Sequence, residues 1–110
     1  MSLDNGRIKN VTQITSASTS VRANAYEGIV TTFALTTVGA SAAVETFTIN
    51  NVKVKRISEI QLTLQYAGAG TPVARIQTQA RGSFSVTITN VHPTVALNAV
   101  AKVHFAVIHN

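Results

Sequence analysis

The chain has no cysteine, no tryptophan, two prolines and only four acidic residues among 110. Without thiols there is neither a disulfide nor thiolate chemistry, and redox usage says nothing about compartment. The carboxylates, Asp4, Glu27, Glu45 and Glu59, are scattered too widely to supply the facing pair that a glycosidase needs. No apolar run approaches the roughly 18 residues of a membrane helix, and residues 1–10 carry Asp4, Arg7 and Lys9 in place of a hydrophobic signal core. An aqueous setting, without a membrane and without a secretion signal, is the expectation.

Other chemistry is equally sparse. The histidines, His92, His104 and His109, stand in no H-x-H or H-E-x-x-H pattern, so no metal site is expected. There is no G-x-S-x-G elbow. Gly68-Ala69-Gly70 lacks the spacing and the following helix of a phosphate loop. Asn10-Val11-Thr12 fits a glycosylation sequon, which without a signal peptide reads as chance. The expectation is a protein that is not an enzyme, with no catalytic, cofactor-binding or metal-binding residues.

What fills the chain is Thr, Ser, Asn and Gln set between aliphatic residues. Charged residues make up 12%, about half the usual share. Ser83, Ser85, Thr87 and Thr89 alternate with Phe84, Val86 and Ile88, and Ala101, Val103, Phe105 and Val107 share one face of a second run. Period two with β-branched and aromatic residues marks strands with one buried face, and these two runs read as a central antiparallel pair. Further strands are expected over 7–14, 21–24, 29–36, 44–50, 60–66 and 73–80. Tyr26-Glu27-Gly28 reads as a bend, residues 67–72 as a loop that excludes Pro72 from the sheet, and residues 52–58 as a continuation, a bend or one helical turn.

The predicted fold is all-β: a single-domain antiparallel β-sandwich, jelly-roll-like, of about seven or eight strands, with a barrel as the other closure. Residues 1–19 form its first strand or a docking arm, and residues 20–110 the sandwich. The expected inward residues are Phe33, Phe47, Ile49, Ile60, Leu62, Leu64, Phe84, Val86, Ile88, Val103, Phe105 and Val107.

Net charge is +5, which raises nucleic acid as a partner. Only Lys53-Lys55-Arg56 clusters, and no aromatic residues interleave with it as a single-strand groove requires, so the reading goes against nucleic acid. Tyr26 and Tyr66 are the residues that would stack on a sugar, although Tyr66 falls in phase with Ile60, Leu62 and Leu64. Few charges and neutral polar faces favour packing against copies of the same chain, and a homo-oligomer is expected. His104, on the face opposite Phe105, would meet a symmetry mate.

Residues 33–108 also resemble a loose group of small tailed-bacteriophage virion proteins and fibre-tip domains. The resemblance rests on Leu35-Thr36-Thr37, Phe47-Thr48-Ile49-Asn50-Asn51, Gly82-Ser83-Phe84, Ile88-Thr89-Asn90, Ala96-Leu97-Asn98 and the ending Val103 to Ile108. It implies a trimeric β-sandwich on a phage particle, as head decoration, head fibre or tail component, assembled in the host cytoplasm beside other virion proteins. A carbohydrate- or receptor-binding module at a fibre tip is the alternative. Ala99 departs from the group, which often has Gly there, so a tight turn after Asn98 is not carried over. No functional residue is carried over either.

Overall fold

Alternating β-branched runs separated by Gly, Asn and Pro form strands because each strand can bury one side of its pleat against another. The protein, described as a computed structural model over residues 8–36 and 44–108, has eight strands and no helix among those residues. They are β1 (Ile8–Thr12), β2 (Val21–Arg22), β3 (Glu27–Thr31), β4 (Val44–Asn50), β5 (Glu59–Tyr66), β6 (Pro72–Ala80), β7 (Ser83–Asn90) and β8 (Ala101–Ile108). Two four-stranded sheets result, ordered β1-β3-β8-β5 and β2-β4-β7-β6. The all-β expectation holds. The all-antiparallel one does not, since β1 runs parallel to β3 and β2 parallel to β4.

The two runs read as a paired hairpin are separated. β7 bonds to β4 and β6, while β8 bonds to β3 and β5. Each is therefore an inner strand of its own sheet, and the two meet face to face instead of edge to edge. The rings of Phe84 and Phe105 touch at 5.6 Å between centroids and 69° between planes, the edge-to-face geometry that aromatic quadrupoles favour. Around them Phe47, Ile49, Val86, Ile88, Val30, Leu35, Val54, Leu97 and Val103 are fully enclosed.

Of the expected inward residues, Phe47, Ile49, Phe84, Val86, Ile88, Val103, Phe105 and Val107 are buried, and Ile60, Leu62 and Leu64 are half-buried against that core. Phe33 is a correction: it is 42% exposed. β3 ends at Thr31, and buried Thr32 then holds Ala101 twice, its N–H donating to the Ala101 carbonyl at 2.8 Å and its Oγ1 accepting from the Ala101 N–H at 2.9 Å. The break in alternation turns Phe33 outward and brings Leu35 in. Within β3, Gly28 and Val30 point inward and Ile29 lies opposite His104 on the outer face.

Gly28 is not a bend. It lies in β3 directly opposite Phe105, and a Cβ there would sit 2.5 Å from the Phe105 ring. The missing side chain is the space that the ring fills. The conformational freedom of glycine is used elsewhere: Gly82, with φ of 89°, closes the tight turn between β6 and β7, and Gly70, with φ of 86°, sits in the β5–β6 connection.

Pro72 joins the sheet as the first residue of β6, which is allowed because β6 is an edge strand with a free N–H side. A bulge between Ile76 and Thr78 shifts the alternation of β6 and turns Gln79 against the 52–58 segment. That segment is two turns, not a helix or a strand, with Val54 buried between them. The expected first strand is β1, paired to β3; of the rest of the 1–19 arm, residues 13–19 form a loop tied down by buried Gln13, and residues 1–7 lie outside the described residues.

The fit of Phe105 over Gly28 carries a stability prediction. Gly28→Ala overpacks the core and is expected to lower unfolding free energy by about 1–3 kcal/mol. Phe105→Ala leaves a cavity and costs about 3–5 kcal/mol. Urea denaturation checks both, and a Gly28→Ala protein as stable as the parent would contradict this packing.

Candidate functional site

Three of the cationic residues, Lys55, Arg56 and Arg81, come together at one end of the sheets, in the turns after β4 and β6. Asn51, fully buried, builds this end: its Nδ2 donates to the Ala25 carbonyl at 2.6 Å, and its Oδ1 accepts from the N–H groups of Ala25 (3.2 Å) and Lys53 (3.0 Å). The Asn24 side chain accepts from the Val52 N–H at 3.1 Å. A buried amide with each of its groups bonded locks two separate segments together.

The next turn is held from the β6 side. Gln79 Nε2 donates to the carbonyls of Lys55 (2.9 Å), Arg56 (3.3 Å) and Ser58 (2.7 Å). The Gly82 N–H donates to the Val54 carbonyl, and the Asn51 N–H to the Gly82 carbonyl, each at 2.9 Å. With the backbone fixed in this way, Lys55, Arg56 and Arg81 line one shallow depression around Ile57, which is 85% exposed.

The sequence cluster Lys53-Lys55-Arg56 is thus divided. Lys53 turns away, with its ammonium 5.2 Å from the centroid of the half-exposed Tyr26 ring, a cation–π distance. Arg81 takes its place beside Lys55 and Arg56, brought there by the β6–β7 turn. Spacing along the chain holds no trace of this; the one readable signal was Arg81-Gly82 as a turn. Ile57 and Arg81 are the residues that sequence reasoning did not assign to a site.

Beside this patch lies a groove of about 580 Å³ lined by Asn24, Ala25, Tyr26, Glu27, Lys53 and the end of β8 at Ala106 to Ile108. Of the two tyrosines considered for sugar stacking, only Tyr26 borders it. Tyr66 is committed to the opposite end, where its hydroxyl donates to the Ala69 carbonyl and accepts from the Asn98 N–H at 2.9 Å. Asn98 Oδ1 in turn accepts from the Ala69 N–H at 2.8 Å. Ala69 thus belongs to a loop stapled through Tyr66 and Asn98.

The other candidates disperse. His92 Nδ1 accepts from the N–H groups of Thr94 and Val95 at 3.1 and 3.0 Å, a loop role. His104 lies on the outer face of β8, opposite Ile29 and Thr63, while His109 lies outside the described residues. Glu27, Glu45 and Glu59 sit in three different strands, and Asp4 lies outside the described residues. Among the described residues no group of three His, Asp or Glu side chains converges. Asn10 is in β1 and exposed.

No family model, curated protein or solved structure matches this chain.

Three cations on a braced turn produce a local positive field that is screened over about 10 Å at 0.1 M salt. The protein is expected to be retained on a heparin column at low ionic strength. Arg81→Gln should lower the eluting salt concentration as much as Arg56→Gln does. An Arg81→Gln protein eluting with the parent would show that Arg81 does not belong to the patch.

Proposed function

We propose that the protein is a non-enzymatic structural component of a tailed-phage-like virion, a capsid decoration, head fibre or tail part, assembled in the host cytoplasm and acting through β-sheet packing. On this reading the two facing sheets form a jelly-roll-like β-sandwich that associates as a homotrimer with other virion proteins around it. The observation that carries the proposal is the outward surface of β4, β7 and β6. Thr46, Thr48 and Thr89 are half-exposed on it, Ser85 and Thr87 point the same way but are covered by their neighbours, and Arg75 is its one charged side chain.

Several of these side chains bond within the sheet. Thr46 Oγ1 lies 3.0 Å from Thr87 Oγ1 and donates to Gln77 Oε1 at 3.3 Å, Thr87 also donates to Gln77, and Ser85 Oγ lies 2.6 Å from Thr78 Oγ1. A face on which the Thr46, Thr78, Ser85 and Thr87 hydroxyls bond within the sheet, with little charge to repel a neighbour, suits a repeated assembly unit. The resemblance of residues 33–108 to virion proteins points the same way.

The groove beside Tyr26 favours the second reading, a glycan- or receptor-binding module at a fibre tip. It joins an exposed aromatic face to Asn24, Glu27 and Lys53, the apolar plate with polar rim that sugar recognition uses.

Two measurements separate the readings. Light scattering is expected to give a multiple of three times the chain mass of 11.6 kDa, and a strict monomer at high concentration would sink the trimer. On a broad glycan array the structural reading predicts silence. Binding that is abolished by Tyr26→Ala and retained in Tyr66→Phe would establish the receptor-binding alternative.

A further inference from the structure

Four strands form the edges of the two sheets, β1 and β5 in one, β2 and β6 in the other. An edge carries a row of unpaired N–H and C=O groups and will accept another strand unless something blocks it. Three of the four are blunted. β2 has two residues. β1 has five and carries Lys9. β6 begins with Pro72, carries Arg75 and is bulged between Ile76 and Thr78.

Beyond its first residue, Glu59, β5 has none of these devices. It runs eight residues in unbroken register with β8, and residues 60–66 carry no charge, no proline and no glycine. Among the described residues its backbone bonds only to β8. Its inward side chains, Ile60, Leu62, Leu64 and Tyr66, stay half-exposed although they pack on the core. An open backbone ladder and incompletely covered apolar residues coincide on this one strand.

We propose that β5 pairs antiparallel with β5 of a second copy of this chain, about a two-fold axis through Thr63. Period-two geometry limits the register to pairings that keep each face on its own side, and centring on Thr63 is the one of these that pairs all of residues 60–66. With Thr63 on the axis, Leu62 lies opposite Leu64 of the second copy, Ile60 opposite Tyr66, and Gln61 opposite Gln65. Apolar residues meet apolar ones on the inner face, and amides meet amides outside. Glu59, the one acid of β5, falls outside the paired segment and faces no like charge. The two β1-β3-β8-β5 sheets then join into one of eight strands. This contact is independent of any three-fold assembly and of the virion reading, since it uses one edge and leaves both outer faces free.

Sedimentation equilibrium on the full chain tests it. The parent is expected to have an even multiple of the 11.6 kDa chain mass. Thr63 is exposed, so Thr63→Lys leaves the core alone and sets two like charges directly opposite each other, and the mass should fall twofold. Thr63→Glu should do the same, and mixing the two variants should restore the paired mass. Circular dichroism confirms that both are folded. A second readout does not depend on a charge being tolerated: Thr63→Cys places two thiols about 4.5–5.5 Å apart in Cα spacing, within disulfide reach, so mild oxidation should yield a covalent pair. A parent of one or three chains, a Thr63→Lys mass equal to the parent, or no cross-link in Thr63→Cys would each overturn the proposal. A parent dimer would support this pairing and refute the trimer, a trimer would do the reverse, and a hexamer would support both.

Discussion

The edge-to-face contact between Phe84 and Phe105 joins β7 and β8, an inner strand of each sheet, across the core. β7 holds β4 and β6, β8 holds β3 and β5, and β1 and β2 are attached only through β3 and β4. Phe105 can lie where it does because Gly28, its partner in the neighbouring strand, has no side chain. A single methyl group at Gly28 would therefore act on both sheets at once, since close-packed interiors transmit small volume changes.

The order of the strands imposes a second requirement. β6 and β7 are the only consecutive strands that are neighbours in one sheet; every other connection passes from one sheet to the other. Such crossings cannot continue a backbone ladder, so their N–H and C=O groups need other partners. Side-chain amides supply them. Gln13 donates to the carbonyls of Ala17 and Thr19 and accepts from the Phe33 N–H. Asn51 joins the 25 and 53 segments. Asn90 accepts from the N–H groups of Thr71 and His92 and donates to the Val95 carbonyl. All three are almost fully enclosed. The abundance of Asn and Gln in this chain is in part internal scaffolding, and not solely surface polarity.

The two ends of the sheets differ as a consequence. At one, amide clamps from Asn51 and Gln79 fix turns that present Lys55, Arg56, Arg81 and Ile57 to solvent. At the other, Tyr66, Asn90 and Asn98 spend their polar groups on the loops themselves. Three exposed cations thus gather at the first end, and the long unblunted edge runs along β5.

By itself the sequence determined which segments become strands and, for most of them, which side is buried, because alternation is a local property of the pleat. Phe47, Ile49, Phe84, Val86, Val103 and Phe105 were legible for that reason. It failed at Phe33 because a strand's end depends on a partner, here the bonds of Thr32 to Ala101, and at Thr78 because a bulge shifts the phase by one residue without leaving a signature. Strand pairing was decided only by the tertiary structure. Two adjacent alternating runs look alike whether they bond to each other or stack across a core, and burying both faces of the Phe84 and Phe105 layer required stacking. The cationic site belongs to the same class. Arg81 stands 25 positions from Arg56, and only the Gln79 clamp and the Gly82 turn bring the two together.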